Sequence, residues 1–289
     1  MTYVILDLEW NGTRCEKLDG YFNEIIEIGA VKLSSDRRTE KRFDAYIRPV
    51  VSRKLTRIVT DLTGITDAQI RGGVSFVEAM EALDQFIGKD AVIMTWSNTD
   101  LMVLLENCRY FYHQDRIPFL HGYLDLQNYA QTCLGMGTAQ QVGLGKMADL
   151  LGITSDGMKL HHAIDDSVVA AAIFRRVFEP RSFKKAVLKV NEDFYRRLTF
   201  KATVIKDITD PLIRRSDLRF SCENCKRNLK RMSEWKFQQQ RFFTAAFQCR
   251  VCEREYIARV QAKRKFDGVE IKKRLIPKVS EKPKTTEIK

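Results

Sequence analysis

Apolar positions open the chain as an unbroken run, and the first polar break is a patterned one. In YVILDLEW, apolar residues continue through Leu6, after which Asp7 and Glu9 flank Leu8. Successive side chains of a strand point to opposite faces. Asp7 and Glu9 therefore share one face at the end of a buried strand. Asn11–Gly20 reads as a loop. Glu24–Leu33 (EIIEIGAVKL) reads as a strand rich in Ile and Val, with Arg42–Ile47 as its partner. Leu62–Thr66 (LTGIT) forms a turn between helical pieces, with Gly64 suited to a helix end. Phe76, Ala79, Met80, Leu83 and Ile87 recur at helical spacing behind Ser75, a plausible N-cap. Ala91–Trp96 reads as a buried strand, Asp100–Tyr112 as a helix and Tyr123–Leu126 as a short strand. Leu144–Leu151 is predicted to be a helix ending at Gly152, and Ala163–Phe178 a helix apolar on one face. Strands first, then alternating helices and strands, predict an α/β domain with a mixed central sheet flanked by helices over residues 1–180. Glu179–Ser182, with Pro180, marks its boundary. Phe183–Phe200 reads as a basic helix within a linker over 181–218. A cysteine-bearing module covers 219–260, and the lysine-rich stretch 261–289 reads as a disordered tail.

Charge sharpens this division. Residues 1–180 carry 24 acids against 19 Lys and Arg, whereas residues 181–289 carry 30 Lys and Arg against 13 acids, within an overall net charge of +12. A mildly acidic part followed by a strongly basic one suggests two tasks, the second facing a polyanion, although a basic tail serving solubility alone has the same composition. A hydrophobic content of 44% supports a sizeable core, and no apolar run approaches the ~20 residues of a membrane helix. No signal-peptide pattern opens the sequence. Seven cysteines do not form an even framework. A reducing, cytoplasmic setting fits best.

Like-signed carboxylates brought together cost energy unless a cation separates them. Asp7 and Glu9 thus read either as ligands of a hard divalent metal such as Mg²⁺ or as ordinary solvated acids. Asp100, in SNTDL just past a buried strand, joins them or simply stabilises a helix N-terminus. His161 and Asp166, in HHAIDD, precede and open a helix rich in small residues that allow close approach to the sheet. Their neighbours His162 and Asp165 are expected to face elsewhere.

The ordered set DLEW, SNTDL and HHAIDD resembles the DEDD superfamily of 3′→5′ exonucleases in its histidine-bearing branch (DEDDh, RNase T-like). LTGIT resembles that family's segment between its first and second motifs. The details LEW and AIDDS look closest to the Eri-type RNA exonucleases. The resemblance spans residues 1–180 and implies an RNase H-like α/β fold. It also implies hydrolysis of phosphodiester bonds from a free 3′ end with two Mg²⁺ or Mn²⁺ ions. On this resemblance Asp7 bridges the metals, Glu9 and Asp166 hold the one beside the attacking water, and Asp100 serves the second. His161, whose ordinary pKa of ~6.5 suits the task, takes the water's proton. Trp10 either stacks on a terminal base or packs beneath the site. The Leu8 backbone and Asn11 are expected at the terminal ribose.

Cys222-x-x-Cys225 and Cys249-x-x-Cys252 form two knuckles whose spacing predicts one tetrahedral Cys₄ structural zinc site. Redox or unligated thiols are the alternatives. Trp235, Phe237, Phe242, Phe243 and Phe247 lie between them, and with Gln238–Arg241 as a turn the segment becomes two ribbon strands. Lys226, Arg227, Lys230, Arg231, Lys236 and Arg241 surround the knuckles. Basic and aromatic residues together suit nucleic acid, although a ribbon also binds protein. RNA is the expected substrate and single-stranded DNA the second choice. The alternatives are an inactive nucleic-acid-binding scaffold, or a polymerase-associated proofreading enzyme.

Overall fold

A computed structural model describes residues 1–38, 40–137, 140–154 and 161–278. The chain divides into two compact units, Met1–Thr199 and Phe200–Lys289.

The first unit is built on β1 (Thr2–Cys15), β2 (Gly20–Leu33), β3 (Glu40–Tyr46), β4 (Ala91–Thr95), β5 (Gly122–Asp125) and β6 (Leu188–Lys189). Its helices are α1 (Arg57–Thr63), α2 (Asp67–Arg71), α3 (Phe76–Ile87), α4 (Asn98–Tyr112), α5 (Leu126–Cys133), α6 (Leu144–Leu150), α7 (Ala163–Val177), α8 (Pro180–Ala186) and α9 (Glu192–Leu198). The sheet order is β3-β2-β1-β4-β5-β6. β1 runs antiparallel to β2 and parallel to β4, which makes the sheet mixed.

Alternation along β1 divides the core into two layers. Val4, Leu6 and Leu8 pack with Phe76, Leu83 and Leu104 of α3 and α4. Tyr3 and Ile5 pack on the other side with Tyr129, Val169 and Phe174 of α5 and α7. Asp7 and Glu9 continue this second series, so their common face is the one that α7 covers. At ~25 cal/mol per Å² of buried apolar surface, these two layers hold the sheet rigidly beneath whatever projects from its end.

Local signals set the helix ends. Ser75 accepts the Glu78 N–H while Glu78 reaches back to Ser75, a capping box at the start of α3. Gly64, with φ 71°, ends α1.

Three expectations need correction. Asn11–Gly20 is not a loop: β1 continues to Cys15, pairing Asn11 with Glu24 and Cys15 with Gly20. Burial of Cys15 and of Phe22, which stacks on Tyr110 at 4.8 Å, pulls this extension onto the core. Phe183–Phe200 is not one helix. Glu179 caps α8 through the Arg181 and Ser182 N–H groups, and Asn191 caps α9 through the Phe194 N–H. Phe183 and Phe194 then bury in opposite layers, which carries the first unit past 179–182 to Thr199. The stretch 261–278 is not a disordered tail, because it completes the second unit's sheet. Residues 279–289 of that expected tail lie outside the described residues.

The second unit contains β7 (Thr203–Val204), β8 (Lys230–Arg231), β9 (Lys236–Gln238), β10 (Phe242–Gln248), β11 (Glu255–Lys265) and β12 (Gly268–Pro277). Their order is β12-β11-β10-β8, with β7 on β11 and β9 on β10. The expected turn at Gln238–Arg241 joins β9 to β10, with Gln239 and Gln240 both at positive φ. Phe243, Ala245, Phe247, Tyr256, Ala258 and Val260 are buried on one face of the sheet. Among the described residues no helix is long and apolar enough to cross a membrane.

Candidate active site and metal centre

Asp7, Glu9, Asp100, His161 and Asp166 all line one open cleft of about 440 Å³, together with Leu8 and Trp10. Each arrives by a different local route. Asp7 and Glu9 come from the end of β1. Asp100 sits in the first turn of α4, whose N-cap is Ser97, and it is 6% exposed. His161 precedes α7, and Asp166 lies in the first turn of that helix.

The approach of α7 to the sheet depends on Gly29, which pairs with Asp7. A Cβ at Gly29 would lie 2.1 Å from the Ala163 carbonyl carbon. The Ser167 hydroxyl donates to the Gly29 carbonyl at 3.0 Å and fixes the seam. Two strand positions on, Glu27 lies directly across from Glu9 and is wholly buried. Its carboxylate accepts the Ala163 N–H at 3.0 Å and lies 3.4 Å from His162 Nδ1. Glu27 thus anchors the start of α7, and His162 faces this buried acid rather than the cleft. Glu27 and Gly29 escaped the motif reading because both sit inside an ordinary apolar strand. Only the cross-strand register reveals them.

Electrostatics in the cleft point one way. Burial, then Asp100, Asp166, Glu9 and Glu27, push the Asp7 carboxyl well above its ordinary range. Burial and the same acidic neighbourhood raise Glu9 to about 8. Burial raises Asp100 to about 7, although N–H groups, including that of Leu8, stabilise its charged form. Asp166 is raised by burial as well, against the His161 N–H that donates to its Oδ2 at 3.2 Å. Its Oδ1 is buried and has no hydrogen-bond partner among the described residues. An orphaned buried carboxylate oxygen is costly unless something cationic meets it. A nitrogen of His161 and carboxylate oxygens of Glu9 and Asp166 lie within 4.8 Å of one another. The donor set is hard oxygen with one imidazole, which fits a divalent cation. His161 has φ 70°, a left-handed conformation uncommon outside glycine and typical of residues held at functional sites.

The predicted substrate contacts separate. Trp10 lines the cleft and also packs against the layer of α3 and α4. A register shift between Glu9 and Trp10 interrupts the alternation there. Asn11 belongs to the scaffold, which corrects the expectation that it reaches a ribose. It is 1% exposed, its Oδ1 accepts the Thr56 N–H at 2.9 Å, and its Nδ2 donates to the Lys54 carbonyl at 3.2 Å. Its cross-strand partner Glu24 accepts the N–H groups of Val50, Val51 and Ser52. Together they hold the segment that leads into α1. Val59, Leu62 and Thr63 of α1, with Trp96, Ser97, Thr99 and Leu144, complete the cleft wall. Of these, Leu62 and Thr63 fall in the LTGIT segment and Ser97 and Thr99 in the SNTDL motif, whereas Val59, Trp96 and Leu144 carried no functional signal in the sequence.

In the second unit the sulfur atoms of Cys222, Cys225, Cys249 and Cys252 lie within 4.8 Å of one another. The two knuckles repeat one geometry. The Lys226 N–H donates to the Cys222 carbonyl and the Glu253 N–H to the Cys249 carbonyl, both at 2.9 Å. Lys226 and Glu253 both have positive φ. The Tyr256 hydroxyl, 3.3 Å from Cys222 Sγ, lowers that thiol to about 6, and the Cys252 N–H lowers Cys249. Against the Arg227 N–H, the Cys252, Cys249 and Cys222 sulfurs push Cys225 up to about 11. It is their convergence that points to a metal: four sulfurs meeting at one point fit a closed tetrahedral site.

Comparison with known proteins agrees with this arrangement. A family model described as Exonuclease (RNase T) matches residues 4–174. The "Probable 3'-5' exonuclease KapD" of Bacillus subtilis is 32% identical over 164 residues, 56% of this chain and 77% of that protein. "ERI1 exoribonuclease 3" of Homo sapiens is 31% identical over 118 residues, 37% of this chain and 34% of that protein. The solved nuclease domain of 3'hExo, "a DEDDh family member, bound to rAMP", covers 66% of this chain and 96% of its own, with 23% identity and a TM-score of 0.54, a likeness of fold. With its acids and histidine gathered in one cleft, the chain belongs to the DEDDh family of 3′→5′ exonucleases.

Proposed function

We propose that this exonuclease removes nucleotides from the 3′ end of RNA, with Asp7, Glu9, Asp100 and Asp166 holding two Mg²⁺ or Mn²⁺ ions and His161 as general base. The observation that carries the reading is the buried Asp166 Oδ1, without a partner among the described residues, set among carboxylates that burial has pushed toward protonation. Bound divalent cations supply the positive charge that balances these acids and the phosphate, and they acidify the attacking water. His161, exposed at the lip, accepts that water's proton. Trp10, Leu62 and Leu144 offer an apolar wall for the terminal nucleoside, and the Leu8 N–H orients Asp100. RNA is preferred because one relative is an exoribonuclease and the solved 3'hExo nuclease domain is bound to rAMP. The four sulfurs would hold a structural Zn²⁺, and cysteines kept free of disulfides suit a reducing compartment such as the cytoplasm.

The deciding experiment is side-by-side digestion of 5′-labelled single-stranded RNA, single-stranded DNA and an RNA stem-loop with Mg²⁺ or Mn²⁺. RNA is expected to shorten fastest, from its 3′ end, and chelation to stop it. Faster loss of DNA would replace the RNA assignment, and intact oligomers of every kind would favour an inactive scaffold. Asp7→Ala is expected to abolish cleavage while retaining binding.

A further inference from the structure

The second unit's sheet has one face buried against its own core and another whose residues folding does not explain. On that second face, register aligns Lys236, Thr244, Arg259 and Arg274 in one row across β9, β10, β11 and β12. Next to it, Gln238 pairs with Phe242 and Gln261 with Lys272. Arg259 and Arg274 sit directly opposite each other, an arrangement that repels. Among the described residues no acid is paired with Arg241, Arg259 or Arg274. Glu270 relieves part of the charge nearby, shared between Lys272 at 3.3 Å and Lys265 at 3.1 Å. The Arg259 guanidinium lies 4.8 Å from the Phe242 ring centroid. Arg241, Phe242, Arg259, Lys272 and Arg274 line one shallow pocket.

Cations spaced along strands, with Arg259 and Arg274 lacking an acidic partner among the described residues and Lys272 sharing Glu270, set around the half-exposed Phe242 ring, match a polyanion with bases to stack. We propose that this face of β9–β12 is a platform for the backbone of single-stranded nucleic acid. Arg259, Lys272 and Arg274 meet successive phosphates, and Phe242 stacks a base. The occupant is the exonuclease's own substrate, so the proposal rests on the nuclease reading above. It keeps Lys236 and Arg241 from the expected basic set, moves the contact away from Lys226, Arg227, Lys230 and Arg231, and draws on β12, which sequence composition placed in a tail.

The test uses the full-length, zinc-loaded chain carrying Asp7→Asn, a fluorescein-labelled 20-nucleotide single-stranded RNA, and anisotropy from 50 to 300 mM salt. Each phosphate contact removed from a single strand lowers the slope of log affinity against log salt by about 0.7. The triple variant Arg259→Ala, Lys272→Ala, Arg274→Ala is expected to lower the slope by about 2 and to bind at least tenfold more weakly at 100 mM. Phe242→Ala is expected to weaken binding about fivefold with an unchanged slope. The charge-conserving pair Arg259→Lys, Arg274→Lys is expected to retain the slope. These variants also serve if the triple variant fails to hold zinc. In the cleavage-competent chain, the triple variant is expected to lose kcat/KM on the 20-mer but to keep it, within about twofold, on thymidine 5′-monophosphate p-nitrophenyl ester, which is too small to span two sites. Unchanged affinity and slope would overturn the platform, as would loss of binding in Lys226→Ala, Lys230→Ala instead. A wild-type chain that cleaves neither substrate would refute the nuclease reading and leave the binding measurement to judge the platform separately.

Discussion

Glu27 has no exposed surface, yet it decides where exposed His161 stands. Its carboxylate fixes the Ala163 N–H and faces His162, and these two residues directly follow His161. Displacing a catalytic group by about 1 Å can cost ~100-fold in rate. Glu27→Ala is expected to lower single-turnover cleavage by about that factor with RNA affinity retained. Glu27→Gln, which still accepts the Ala163 N–H, is expected to recover most of the rate; equal damage by both would reduce Glu27 to a packing residue. The cleft acids also predict a pH response. Their folded pKa values lie above the unfolded ones, with Glu9 at about 8 and Asp100 at about 7. Between the unfolded values near ~4 and those folded values, the native chain holds protons that the unfolded chain has shed. Stability of protein freed of Mg²⁺ and Mn²⁺, but keeping its zinc, therefore falls as pH rises from about 4.5 to 8. Added Mg²⁺ is expected to restore Tm most at the alkaline end. A Tm that climbs across that window without metal would contradict the crowding of the four acids.

Elements explain how much of this was legible beforehand. The rhythm of Phe76–Ile87, with its serine cap, announced α3 because local pattern and tertiary burial agree there. Asp7 and Glu9 shared a face by strand period alone. Gly29 carried no such signal: its requirement comes from α7, more than 130 residues later, crossing where a Cβ would lie 2.1 Å from backbone. Gly29→Ala is expected to destabilise the chain by about 1–3 kcal/mol or more, read by urea unfolding, and to slow cleavage by moving Asp166 away from Asp7. β12 was hidden for a different reason. The lysines of the surrounding stretch 261–289 colour its composition, whereas Ile271 and Leu275, which pack inward, become visible only once β11 is alongside. The loop expected after Trp10 failed similarly, since Phe22 and Cys15 find their burial in residues distant in sequence. Asn11 shows the limit of reading a motif outward: a polar residue beside a catalytic pair proved to be an anchor for the backbone before α1. Asn11→Ala leaves the Thr56 N–H without its acceptor and is expected to cost about 1–3 kcal/mol, again measurable by urea unfolding.

On the scale of the whole chain, all five cleft residues belong to Met1–Thr199 and all four sulfurs to Phe200–Lys289. Removing zinc is expected to unfold the second unit, since the knuckles enclose a small core of Phe220, Phe247 and Tyr256. Cleavage of the small ester is expected to persist after Cys222→Ser while hydrolysis of long RNA falls; loss of both would tie the cleft's integrity to the metal. The lysines and arginines of β12 have one more effect. β12 closes one end of the sheet order among the described residues, and the edge of a sheet invites a strand from another molecule. Lys272, Lys273 and Arg274 stand exposed on that border, where like charge on an approaching copy repels it. Their replacement by alanine removes that guard, so such variants are expected to scatter more light at high protein concentration and to be rescued by excess oligonucleotide only where the platform still binds. The border that recruits a polyanion is thereby also the one that keeps the protein from polymerising with itself.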